Sequence, residues 1–110
     1  MRRVKVDIST NTKGIIVLAK GKHGYADWLV MVTRVDKVGS GDLKIYGHIF
    51  YNISEEKWYF SDGDENYAWG NINHWDFFEP TIEQKQTIIG QLKKMGYKYV
   101  PILNKLIKKT

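Results

Sequence analysis

Apolar and polar residues alternate over two stretches of the chain. Val4, Val6 and Ile8 alternate with Arg3, Lys5 and Asp7. Leu43, Ile45, Gly47, Ile49 and Tyr51 alternate with Lys44, Tyr46, His48 and Phe50. Successive side chains of a strand point to opposite faces, so a period of two predicts half-buried strands. Two further runs, Gly14 to Ala19 and Trp28 to Val32 (within Asp27 to Asp36), are almost wholly apolar. The first is β-branched and strand-forming, and the second suits a strand covered on both faces. Ser9 to Gly14 is turn-like, so an opening hairpin is expected between residues 4–8 and 14–19. Val38 to Asp42 and Ser54-Glu55-Glu56 supply later turns. Lys57 to Phe60 reads as a short aromatic strand, and one more is expected near Asn73 to Phe78.

The period changes after Glu79. Thr81 with Gln84 three residues on matches a capping box, with Pro80 just ahead. Ile82, Ile89 and Leu92, with Ile88 and Met95 beside them, predict an apolar helix face over about residues 81–95. Lys93 and Lys94 suit the carbonyl end of the helix dipole, and Gly96 is placed as a left-handed stop. Gly90 inside the helix costs up to about 1 kcal/mol against alanine. Tyr97 to Val100 reads as a strand, Pro101 to Asn104 as a turn, and Lys105 to Lys108 as a segment pairing back.

The fold class expected is therefore α+β. It is a small antiparallel β-barrel or curved sheet of five or six strands, with one C-terminal helix and a terminal β segment. A single domain is expected over residues 1–110, mostly β over 1–79 and helix plus β end over 80–110.

Charge adds a partner class to this picture. From Gln84 to Thr110 there are seven lysines and no acid, whereas Glu55 to Glu83 carries eight acids against Lys57 alone. The net charge is +5, which favours polyanionic partners. Many small proteins are mildly basic for solubility alone. The chain has no cysteine, so disulfides, thiolate metal sites and cysteine nucleophiles are excluded. No apolar stretch of useful length follows Arg2 and Arg3, and Trp28 to Val32 is too short to span a bilayer. A cytoplasmic location without membrane association is expected.

The stretches Glu79-Pro80-Thr81-x-Glu83-Gln84, Leu92-Lys93-Lys94-x-Gly96-Tyr97 and Asn104-Lys105-Leu106-x-Lys108 resemble a known module. It is the C-terminal module of uncharacterised small proteins of Bacteroidetes phages and mobile elements. There a proline and threonine opening precedes a helix, a Gly-Tyr stop, an aromatic strand and a lysine-leucine-lysine end. The likeness covers about thirty of the 110 residues. One departure is the apolar turn Val100-Pro101-Ile102-Leu103, where those proteins carry a polar, acidic one. The resemblance implies a phage or mobile-element origin and a small non-enzymatic role, and it carries over no catalytic residue.

Candidate chemistry is sparse. Asp62-x-Asp64-x-Asn66 opens like a calcium loop but has Tyr67 and Asn73 where an EF-hand needs glycine and an acid. An acidic hairpin loop is the simpler reading. His23, His48 and His74 show no ligand spacing. No serine sits in a nucleophile elbow, and Gly21-Lys22-His23-Gly24 precedes no helix that would cradle phosphate. No enzyme, metal or cofactor is expected.

Aromatics interleaved with cations carry more. Tyr97 and Tyr99 flank Lys98, and Lys57 precedes Trp58-Tyr59-Phe60. Single-strand binders stack bases on such rings while cations track the phosphates. Strand aromatics are more often core, which is the expectation for Trp28, Trp58 and Phe60. The leading expectation is a non-enzymatic binding protein contacting nucleic acid. The residues involved are Arg2, Arg3, Lys20, Lys22, Lys94, Lys98, Lys105, Lys108, Tyr97 and Tyr99. The alternative is a modulator of a host nucleic-acid-handling or defence protein, using Asp62, Asp64, Tyr67, Trp69 and Trp75. A third class is a self-assembling protein joined through strand edges.

Overall fold

The computed structural model describes residues 2–7, 15–39, 41–60, 67–100 and 105–108, with backbone alone for 33, 48, 67–69, 97–100 and 105–108. The strands are β1 (Ile15–Gly21), β2 (Trp28–Lys37), β3 (Leu43–Asn52), β4 (Lys57–Phe60), β5 (Tyr67–Asn71) and β6 (Trp75–Phe78). A 3-10 turn, Ile72–His74, joins β5 to β6. Helix α1 (Ile82–Lys94) follows, and β7 (Tyr97–Val100) pairs with β8 (Lys105–Lys108) as a hairpin.

The fold is α+β, with one curved antiparallel sheet in the order β4-β3-β2-β1-β6. β5 also pairs with β3, so β4 and β5 lie end to end along its edge away from β2. Among the described residues the order ends at β4 and β6, and no pairing closes it into a barrel.

Both faces of the sheet are covered, as the continuous apolar run of β2 predicts. Leu29, Val30, Met31 and Val32 are all buried. Val30 and Val32 join Val17, Ala19, Val35, Ile45, Phe50, Trp75 and Phe77 in one apolar cluster. Leu29 and Met31 join Leu18, Ile49, Ile88 and Leu92 in a second, which α1 covers. Trp28 packs against the first, and Trp58 and Phe60 against the second.

β3 departs from the uniform alternation expected of it. Its register with β2 shifts between Val30 and Val32 and again between Val32 and Arg34. A bulge inserts an extra residue and inverts the side-chain alternation beyond it. Leu43 and Ile45 therefore join the first cluster, whereas Ile49 and Tyr51 join the second and Phe50 returns to the first.

The expected opening hairpin is also corrected. Residues 8–14 lie outside the described residues. Arg3 bridges to Phe78, the Val4 N–H donates to the Phe77 carbonyl at 2.9 Å, and the Glu79 N–H donates to the Arg2 carbonyl at 2.8 Å. β1 pairs with β2 on one edge and, over Leu18–Gly21, with β6 on the other, and the N-terminal segment lies along β6. Val6 keeps its alternation by burying in the first cluster.

The helix begins and ends as its sequence signals require. The Gln84 N–H donates to Thr81 Oγ1 at 3.1 Å and the Thr81 N–H donates to Gln84 Oε1 at 2.9 Å. It stops at Gly96, whose φ of 82° favours a residue without Cβ. Its buried row is Ile88 and Leu92, while Ile82 and Ile89 are 74% and 51% exposed, so the expected stripe is rotated. Among the described residues no helix is long and apolar enough to cross a membrane.

Candidate nucleic-acid interface

The edge formed by β1 and β6 gathers cations from two directions. β1 ends in Lys20-Gly21, and its antiparallel register sets Lys20 opposite Asp76 and Gly21 opposite Trp75. The Lys22 N–H donates to the His74 carbonyl at 2.9 Å, extending the contact by one residue. On the other side of β6 the N-terminal segment delivers Arg3.

Asp76 is the shared anion. It accepts a hydrogen bond from the Arg3 guanidinium, and Lys22 Nζ lies 3.6 Å from the same carboxylate oxygen. The Arg3 guanidinium also lies over the Phe78 ring, 5.9 Å from its centroid. Lys20 Nζ lies 3.9 Å from Asp27, whose other oxygen accepts the Gly21 N–H at 2.9 Å. Exposed pairs of this kind stabilise a fold by about 0–1 kcal/mol. Their effect here is to hold three cationic groups at one edge while cancelling only part of the charge. Arg2 is exposed beside them, with its carbonyl tied to Glu79.

Aromatic rings gather at the same end of β6, around His74 and Trp75. The Tyr25 ring stacks on the His74 ring at 4.3 Å and 18°, and it meets Trp75 at 5.2 Å and 60°. Trp75 is 8% exposed, and its Nε1–H donates to the Ala26 carbonyl at 2.9 Å. The buried indole is thus the foundation of the stack, and Tyr25 is its exposed member. The Tyr25 N–H donates to the Lys22 carbonyl at 3.1 Å, closing the turn that keeps ring and lysine together.

The remaining expected residues lie elsewhere. Lys94 is exposed on the last turn of α1, near Tyr51 of β3 and Trp58 of β4, towards the opposite end of the strand order from β6. On the β7–β8 hairpin, Tyr97 is in register with Lys108, Lys98 with Ile107, Tyr99 with Leu106 and Val100 with Lys105. Arg2, Arg3, Lys20 and Lys22 thus form one group, Lys94 a second, and the hairpin residues a third.

Of the alternative set, Asp62 and Asp64 lie outside the described residues, and Tyr67 and Trp69 belong to β5. Trp75 is corrected from an exposed anchor to a core residue, because its ring fills the first cluster and its N–H is satisfied inside. The calcium-like loop, residues 62–66, lies outside the described residues. Among the described residues there is no group of three or more His, Cys, Asp or Glu side chains placed to hold a metal ion.

Sequence reasoning missed Tyr25, His74, Asp27 and Asp76. Their signal was weak. Lys20 to Tyr25 offers only two lysines and two glycines in a loop-like run, and nothing local joins it to His74, some fifty residues away. One carboxylate near this edge departs from its ordinary behaviour. Glu79 is held below the usual value of 4.5 by the hydrogen bond from Lys85, opposed by desolvation and assisted by the charges of Lys85 and Arg2.

Searches against family models, curated proteins and solved structures returned no match to this chain.

Proposed function

We propose that this chain is a non-enzymatic binding domain that contacts single-stranded nucleic acid through its β1–β6 edge. The observation that carries this reading is the convergence of Arg3, Lys20 and Lys22 at one end of β1 and β6, with the exposed Tyr25 tied to Lys22 through its N–H. Cations track phosphates without regard to sequence, and a ring on a rigid base stacks any unpaired base. Bases inside a duplex are stacked on both faces and leave Tyr25 a free face only at the ends, which favours the single strand. An accessory role in a phage or mobile element accords with the resemblance of residues 79–108, and a cytoplasmic setting accords with a chain lacking cysteine. A host-protein partner engaged through residues 62–78 is the competing reading, and burial of Trp75 removes one of its anchors.

Fluorescence anisotropy with labelled single- and double-stranded DNA and RNA tests this. The expected result is single-strand binding that persists at physiological salt. It should weaken at least tenfold when Arg3, Lys20 and Lys22 are replaced together by glutamate, three lost phosphate contacts being ample for that. Binding that vanishes at physiological salt, or that ignores the triple substitution, overturns the assignment.

A further inference from the structure

A groove of about 410 Å³ lies between α1 and the β3–β4 hairpin. Its floor is Tyr51 and Trp58, cross-strand partners whose rings lie 4.5 Å apart at 39°. Its wall is one side of the helix, Gln86, Thr87, Gly90, Gln91 and Lys94. Positions three and four apart share a helix face, so these residues form one continuous row. The volume lies within the range of small-ligand sites, roughly 300–1,000 Å³.

Gly90 is the informative residue. Nothing lies within 4 Å of where its Cβ would stand, so no close packing contact demands glycine there. Glycine is nonetheless among the poorest helix formers. What its missing side chain does is leave the middle of the groove open. No carboxylate lines this space. Lys94 stands at one end, and among the described residues no acid is paired with it. Thr87 turns its hydroxyl back to the Glu83 carbonyl at 2.9 Å, leaving Gln86 and Gln91 as the lining amides.

We infer that this groove receives one unstacked base of a bound strand, with its phosphate against Lys94. The inference rests on the nucleic-acid reading above and assigns it a second contact site. An aromatic floor offers a face to the planar base. A primary amide both donates and accepts, so it can meet the edge of any base. The lysine supplies the charge that the phosphate requires and offsets the partial negative charge of the helix carbonyl end. β3 and β6 are three strand spacings apart, about 15 Å along the sheet. A strand of several nucleotides spans that distance and meets both sites.

The test compares wild type with Gly90→Leu against a labelled single-stranded DNA oligonucleotide and the corresponding duplex. Leucine is a better helix former than glycine, so the helix is retained while the groove is filled. Single-strand affinity should fall about tenfold, the scale of one lost stacked base, with duplex affinity unchanged. Should Gly90→Leu fail to fold, the pair Gln91→Ala and Lys94→Gln changes only helix-surface side chains. It should weaken the same binding and lower the salt slope by about one. Wild-type single-strand binding that none of these variants alters overturns the groove assignment alone. Absence of any wild-type binding at physiological salt overturns the nucleic-acid reading and this inference together. A loss of equal size for strand and duplex also overturns it, because the groove is argued to take an unstacked base.

Discussion

Gly47 of β3 lies directly against the main chain of Met31 in β2: a methyl group in its place would stand 2.0 Å from the Met31 carbonyl oxygen. This close approach falls where the β2–β3 register shifts and where β3 changes partner from β5 to β4. The obstructing atom belongs to a buried central strand, so it cannot swing aside. Gly47→Ala should therefore cost about 3 kcal/mol, the upper part of the overpacking range. At an m-value of about 2 kcal/mol/M that lowers the urea midpoint by about 1.5 M. A midpoint equal to that of wild type would mean the two strands part without strain.

The same position marks the limit of what the sequence discloses. β1, β2, β4, the capped helix and the β7–β8 pairing were legible because each is set by local pattern: alternation, an apolar run, a capping box, a glycine stop. The inverted alternation of β3 was not legible. Leu43, Ile45, Gly47, Ile49 and Tyr51 form an unbroken period of two, and only pairing with β2 reveals that the extra residue divides them. The candidate interface was legible in its cations but not in its arrangement. Strand register sets Lys20 opposite Asp76 and carries Lys22 to its carboxylate, and Arg3 reaches it from the N-terminal segment that lies along β6.

Adjacent isoleucines of α1 separate packing from composition. Ile88 is fully buried among Leu18, Leu29 and Ile49, whereas Ile89 is 51% exposed. Truncating Ile88 to alanine removes buried methyl groups and leaves a cavity, for a loss of about 2–5 kcal/mol. Ile89→Ala should stay within about 0.5 kcal/mol of wild type, as surface changes do. Chemical denaturation of the two variants side by side distinguishes the observed helix orientation from the stripe of Ile82, Ile89 and Leu92. Equal losses would favour the latter.

Glu79 and Lys85 tie the end of β6 to the first turns of α1, with Lys85 Nζ 2.6 Å from Glu79 Oε1. The hydrogen bond holds the Glu79 carboxyl below 4.5. A carboxylate depressed by folding contributes stability above its unfolded value, and loses that contribution as pH falls through its folded value. Lys85→Met should raise the Glu79 titration midpoint towards 4.5 in a carboxyl-detected NMR titration. The wild-type stability advantage over this variant should shrink as pH drops below that value. A Glu79 midpoint unmoved by the substitution would show that Lys85 does not hold it.

Asp76 offers a test in which binding should improve. It partners both Arg3 and Lys22, so it withholds part of their charge from any polyanion arriving at the β1–β6 edge. Asp76→Asn keeps the shape and an acceptor oxygen while removing the competing charge. If Arg3 and Lys22 contact phosphate, single-strand affinity at low salt should rise. The dependence of log affinity on log salt should steepen by about one phosphate contact. Both pairs are partly exposed, so the fold should lose about 1 kcal/mol. A salt series by anisotropy, with a urea curve as control, gives both quantities. Unchanged affinity and slope would place the phosphates away from Arg3 and Lys22 and shift the contact to the β7–β8 lysines. The direction of the effect matters most, because a merely structural aspartate would weaken binding when removed, whereas a charge-masking one strengthens it.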